Sequence, residues 1–168
     1  MGLMDRKMDK VLELFYEFPS RKFTIREIAK IVKIPKSTVQ NYLTLIKSNN
    51  LVTKENQASN SALYKIKKIN YSIEKLYASG LIEYLKDSLS PSCIILFGSF
   101  RKGEFVKDSD IDIFIETTTK TELNLKKFEN KLNHKINIRK EINIHNLQPR
   151  LFNNIINGIK LEGFFKVK

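Results

Sequence analysis

The stretch that most narrows what this chain can fold into is ILFGSFRKGEFVKDSDIDIFIE, residues 95–116. An apolar run stops at Gly98-Ser99, crosses a basic, polar connection, and resumes with two aspartates set between isoleucines. Short apolar runs bounded by glycine and polar clusters read as strands. Asp110 and Asp112 stand two apart, so on a strand both carboxylates point to the same face. Two like charges side by side repel. Something on that face compensates them, or the pair sits at an edge facing water.

Composition bounds the rest. The 168 residues allow one medium domain or two small ones, and 42% hydrophobic content with only 6 Gly and 4 Pro indicates a folded chain. Apolar runs of about five residues are too short for a membrane span, and MGLMDRKMDK has no signal-peptide pattern. The single cysteine, Cys93, lies in the apolar run CIILFG and reads as a buried thiol with no internal disulfide. A cytoplasmic location is the expectation. The net charge of +12 is uneven: residues 1–70 hold 14 Lys and Arg against 6 Asp and Glu, whereas residues 71–168 hold 16 against 12. The stronger excess points to an anionic partner for the N-terminal part.

Residues 5–17 repeat apolar positions at helical spacing (Met8, Val11, Leu12, Phe15) and end near Pro19. Thr24 caps a second helix that buries Ile25, Ile28, Ala29 and Val32, with Glu27 completing a capping box. KIP then interrupts, because proline disfavours helical geometry in its predecessor. A third helix starts near Lys36, buries Val39, Leu43 and Ile46, and runs to about residues 48–50. Two short helices across a tight turn match the helix-turn-helix pattern. LVTKE and ALYKIKK read as strands joined by the polar cluster NQASNS.

Further on, residues 72–89 read as one amphipathic helix with Ile73, Leu76, Tyr77, Leu81, Tyr84 and Leu85 along a core-facing stripe, stopped at Ser90-Pro91. The domain boundary falls near residues 68–71, giving domains 1–70 and 71–168. Residues 121–132 read as a helix, HKINIRKEINIH as one strand or a strand pair, residues 149–157 as a helix, and IKLEGFFKVK as a terminal extended segment. The fold class is α+β.

A strand ending in Gly-Ser, a polar connection, then Asp-Ile-Asp suits nucleotide phosphates. Glycine lets backbone come close to a phosphate, and the serine hydroxyl and following amides donate to its oxygens. Two carboxylates on one face can hold Mg²⁺, which prefers one or two carboxylates plus substrate phosphates. At these residues the sequence closely resembles the DNA polymerase beta-type nucleotidyltransferase superfamily: Gly98-Ser99, ten residues from Phe100 to Ser109, then Asp110-Ile111-Asp112-Ile113. Lys102-Gly103 stand where small members commonly carry Arg-Gly, and KLNHKINI and LQPRLFNNIINGIKLEG look most like the minimal nucleotidyltransferases. The resemblance covers roughly residues 72–165. It implies a small domain with a mixed sheet flanked by helices. It further implies that Asp110 and Asp112 ligate Mg²⁺, that Gly98 and Ser99 hold the tail of ATP or another nucleoside triphosphate, and that Lys102 neutralises phosphate charge. The implied reaction moves a nucleoside monophosphate to an acceptor hydroxyl.

Family members that transfer nucleotides carry a third carboxylate on the following strand. Aligning KLNHKINI puts Asn137 there, and aligning KEINIH puts Asn143 there. Asparagine can ligate a metal through its carbonyl but cannot act as a base. Glu141 alternates with the apolar residues in the same phase as both asparagines and is the nearest acidic substitute, if the strand is continuous. His134 and His145 have no cysteine or regularly spaced carboxylate nearby, and read as surface histidines rather than zinc ligands.

Residues 5–68, with a hairpin directly after the third helix, resemble the winged helix-turn-helix DNA-binding family. That resemblance implies double-stranded DNA contacts by Lys36, Ser37, Thr38, Gln40 and Asn41 on the recognition helix, with Lys47 near its end, Lys54 on the wing and Asn60 at its tip. A homodimer follows if the module reads a palindrome. A winged helix can equally serve as a protein-interaction module. Two functions stay open. One is a nucleotidyltransferase targeted by its DNA-binding module; the resemblance to minimal nucleotidyltransferases suggests a prokaryotic antitoxin that silences a HEPN-type toxin partner. The other is a transcriptional regulator whose nucleotidyltransferase domain senses ligand or mediates assembly. An acidic side chain beside Asp110 and Asp112 favours the first, asparagine the second.

Overall fold

The computed structural model describes residues 6–164. Asp5 of the expected first helix and residues 165–168 of the expected terminal strand lie outside them. The chain divides into two compact units, residues 1–68 and 69–168. Among the described residues no helix is long and apolar enough to cross a membrane.

The first unit is built on α1 (Arg6–Glu17), α2 (Ile25–Val32) and α3 (Lys36–Ser48). The capping box at the start of α2 is complete: the Glu27 amide donates to Thr24 Oγ1 at 3.2 Å, and the Thr24 amide donates to Glu27 Oε2 at 2.8 Å. Those bonds hold the Glu27 carboxyl below its ordinary range. Lys33, in left-handed geometry, caps the C-terminus of α2, and Pro35 stands as N-cap of α3. Helix α3 buries Val39, Leu43 and Ile46. In α2 only Ile28 is fully buried, while Ile25, Ala29 and Val32 are half-buried.

After α3 the structure departs from the expected wing. Residues 51–59 make a tight turn with a single bridge, Val52 to Ala58, and a bond from the Thr53 amide to the Gln57 carbonyl of 2.8 Å. ALYKIKK is not the returning strand. It opens α4 (Ala62–Ser79), so the expected wing lacks its second strand, and Asn60 falls after the turn rather than at its tip. Ser61 accepts the Tyr64 amide on its hydroxyl and the Lys65 amide on its carbonyl, an N-terminal cap that starts a helix. Tyr64, Lys68 and Ser72 then recur at i, i+4 and are all buried, and the Tyr64 hydroxyl donates to the Phe15 carbonyl. By sequence, α4 begins in the first unit and ends in the second.

The helix expected over 72–89 is two helices. Gly80, at φ +83, separates α4 from α5 (Leu81–Leu89), and Ser79 Oγ accepts the Leu81 amide across the break. Leu76, Leu81 and Leu85 are buried as expected, whereas Tyr77 is exposed.

The second unit carries a mixed four-stranded sheet in the order β3-β2-β1-β4. Its strands are β1 (Cys93–Phe97), β2 (Ile111–Glu116), β3 (Ile136–Glu141) and β4 (Ile159–Gly163). Strand β1 runs antiparallel to β2 and β4, and β2 runs parallel to β3. Short α6 (Gly98–Lys102) follows β1, α7 (Lys126–Leu132) precedes β3, and α8 (Pro149–Ile156) precedes β4. Cys93, Ile95 and Phe114 form a core on one sheet face with Ile144, Leu147 and Ile155. Ile94, Leu96, Ile113 and Ile115 alternate onto the other face and are also buried, so both faces are covered. Burial raises the Cys93 thiol to about 11, as suits an inert core thiol. Beyond Glu141 the chain turns into a 3-10 turn, Ile144–Asn146, with Asn143 as its cap. A continuous strand through residue 144 therefore does not form.

Candidate nucleotide site

Strand register assembles the site. Phe97 pairs with Asp112 and Asp112 pairs with Asn137, so these three form one row across the sheet at the C-terminal end of β1. Asp110 lies two residues before Asp112 and is exposed, while Asp112 is half-buried. Asn137 answers the charge problem posed by the two aspartates. Its Nδ2 donates to Asp110 Oδ2 at 3.1 Å and to Asp112 Oδ1 at 3.3 Å. Burial raises the Asp112 carboxyl above its ordinary range and the charge of Asp110 adds to the rise, against the bond from Asn137.

Gly98 closes this corner. At φ +69 it adopts a conformation that side chains disfavour, and a Cβ built on it would lie 2.1 Å from Asp112 Oδ2. A side chain at this position would have to push the Asp112 carboxylate aside while holding that positive φ. Phe100 anchors the segment behind it, stacking on Phe105 with ring centroids 4.1 Å apart. His134 packs edge-on against both rings, and its Nδ1–H donates to the Ser109 carbonyl at 2.8 Å. His134 is thus a half-buried prop of the 98–109 connection rather than a surface histidine. His145 is exposed, with its ring against Phe152.

The third-strand alignment resolves to Asn137, since Asn143 has left the strand. Glu141 pairs across from Glu116, four residues along β3 from Asn137, which is about 13 Å at the rise of a strand. Its Oε1 is 2.6 Å from Arg139 Nη2. The fold does not bring Glu141 to the aspartates. Among the described residues no group of three or more His, Cys, Asp or Glu stands where it can hold a metal ion. What remains is two carboxylates converging on one amide nitrogen, a donor set of hard oxygens. That fits a single Mg²⁺ completed by substrate phosphates, not an all-protein cage.

A cleft of about 430 Å³ opens beside the site, lined by Gly98, Ser99, Arg101, Lys102 and Glu104 on one wall and by Asn153 and Asn154 of α8 and Asn157, its C-cap, on the other. Sequence reasoning missed Arg101, Glu104 and the three asparagines. Their only local sign is the run of carboxamides in LFNNIING.

The model of the family described as polymerase beta, nucleotidyltransferase matches residues 79–163, half of the chain. The chain belongs to the polymerase-beta nucleotidyltransferase family. Family-level chemistry is therefore nucleotidyl transfer, and Gly98, Ser99, Asp110 and Asp112 all lie within the matched residues of this nucleotidyltransferase unit. No curated protein matches the chain.

The residues expected to touch DNA lie in the other unit. Lys36, Ser37, Gln40 and Asn41 are exposed on the N-terminal half of α3, and Thr38 is half-buried there. Lys47 donates through Nζ to the Lys54 carbonyl at 3.0 Å, tying α3 to the turn that follows it, and Lys54 is exposed on that turn.

Proposed function

We propose that this chain is a DNA-binding regulator whose nucleotidyltransferase unit binds a nucleoside triphosphate with Mg²⁺. The observation that carries the reading is Asn137, bonded to both aspartates where an active transferase needs a third carboxylate. A carboxamide has no basic lone pair with which to take the acceptor's proton. Asp110 and Asp112 would hold Mg²⁺, which neutralises the triphosphate when bound. Ser99 and Lys102 would engage phosphate oxygens, and Arg101 adds a second cation to the same wall. In the first unit, Lys36, Ser37, Thr38, Gln40 and Asn41 of α3 would face the major groove, with Lys47 and Lys54 beside the backbone. The charge excess of that part of the chain supports this role.

Equilibrium binding of ATP in Mg²⁺ to the wild type and to an Asp110→Asn, Asp112→Asn variant tests the reading. We expect saturable binding by the wild type that falls at least tenfold in the variant. Equal binding by both proteins would reject the assignment of the two aspartates.

Family membership favours a second reading, in which the unit transfers a nucleoside monophosphate, for instance to a HEPN-type toxin. Pyrophosphate release by the wild type at a rate matching an Asn137→Asp variant would select transfer. Release by the variant alone would select the regulator.

A further inference from the structure

We infer that the outward face of α4 is an interface for a second copy of this chain, whose own α4 runs antiparallel about a two-fold axis at Asn70. Helix α4 presents two opposite stripes. Tyr64, Lys68, Ser72 and Leu76 recur every four residues and are buried. Leu63, Ile66, Asn70, Ile73 and Tyr77 are spaced 3-4-3-4, which lines them up on the other side of the helix. Leu63 is 45% exposed, Ile66 54% and Tyr77 43%. Asn70 is exposed and Ile73 half-buried. The Tyr77 hydroxyl donates to the Leu161 carbonyl of β4, which fixes the ring at one end of the stripe. One exposed leucine needs no explanation. A line of large apolar side chains along about four turns is the pattern of a covered seam.

The stripe is complementary to itself, which selects a second copy over an unrelated protein. It reads nearly the same from either end. Leu63 and Tyr77 stand seven residues to either side of Asn70, and Ile66 and Ile73 stand four and three residues away. An antiparallel copy centred on Asn70 therefore sets Leu63 against Tyr77 and Ile66 against Ile73. It also sets Asn70 against its own copy, where each carboxamide donates to the other and accepts in return. A polar residue in such a seam costs some stability and fixes the register.

Charge on the flank fits the same arrangement. Lys67 and Glu74 lie along one side of the stripe, seven residues and about 10 Å apart, too far to meet within one helix. No acidic residue stands three or four positions from Lys67, and no basic one from Glu74. In the antiparallel pair each Lys67 comes beside the Glu74 of the other copy, twice by symmetry. A parallel copy would face the two charges with Ala62 and Ile69, which carry no counter-charge.

The experiment is sedimentation equilibrium of the full chain, without nucleotide or DNA. The proteins are the wild type, Ile66→Asp, Lys67→Glu, and Lys67→Glu combined with Glu74→Lys. The expected result is a concentration-dependent dimer in the wild type and a monomer in Ile66→Asp. Dimer affinity should fall about tenfold in Lys67→Glu and return to the wild-type value in the double variant. Melting curves check that Ile66→Asp folds. If it does not, the charge variants, which alter only the flank, carry the test. A wild type that stays monomeric at the highest concentration leaves this face to some other protein and overturns the inference. A folded Ile66→Asp that dimerises as well as the wild type also overturns it. So does a double variant as weak as Lys67→Glu, because the two charges then do not meet. Each of these failures leaves the nucleotide site standing.

Discussion

Two regions gather polar residues, and they do so in opposite ways. On α3, Lys36, Ser37, Gln40 and Asn41 are polar because that side of the helix faces outwards, and its other side (Val39, Leu43, Ile46) does the packing. At the end of the sheet, Asp110, Asp112 and Asn137 are held by strand register, and Gly98 lies against one of them with no room to spare. A helix face tolerates one change at a time. A site closed by backbone does not, because each member is positioned by its neighbours.

The sharpest way to break this contrast is Gly98→Ala. The methyl group must displace the Asp112 carboxylate while the residue holds a positive φ. We expect nucleotide affinity to fall about a hundredfold or more and stability to drop by about 1–3 kcal/mol, read by calorimetry and thermal melting. Retained affinity would show that the approach of Gly98 to Asp112 is not needed.

A smaller effect is expected on α3. Gln40→Ala should weaken binding to a cognate duplex by about 1–3 kcal/mol in a mobility-shift titration, and leave both melting temperature and ATP affinity unchanged. A matching loss of stability would mean that Gln40 belongs to the packing and not to an exposed reading face.

The smallest effect separates local from tertiary order. Thr24→Ala removes the hydroxyl that caps α2, at a cost of about 1 kcal/mol. Denaturant unfolding should report that loss while nucleotide affinity stays constant, since the site is built from the other unit.

The same contrast decides what was legible in the chain. Helices α2 and α3 could be read because their signals are local: Thr24 with Glu27, Pro35, and apolar residues at helical spacing. The strands on either side of Gly98-Ser99 and Asp110 could be read because short apolar runs bounded by glycine and polar residues mark them, whereas the short helix α6 that begins at Gly98 reads in sequence as part of a loop. ALYKIKK could not, since seven residues fit alternation and helical period alike, and the Ser61 cap and the burial of Tyr64 against α1 settle it. The choice between Asn137 and Asn143 depended on the parallel register of β2 and β3, a pairing between residues about 25 apart in sequence. Asn153, Asn154 and Asn157 stayed hidden because the contact of Gly158 with β1 brings them to the site, and no local pattern records it.

The central claim is that Asp110 and Asp112, bridged by Asn137, form a metal-dependent nucleotide site. The most direct test is calorimetric titration of ATP into the wild-type protein, once in Mg²⁺ and once in EDTA. The account predicts saturable binding in Mg²⁺ and a loss of at least tenfold in EDTA. Equal affinity under both conditions, or binding under neither, would contradict it.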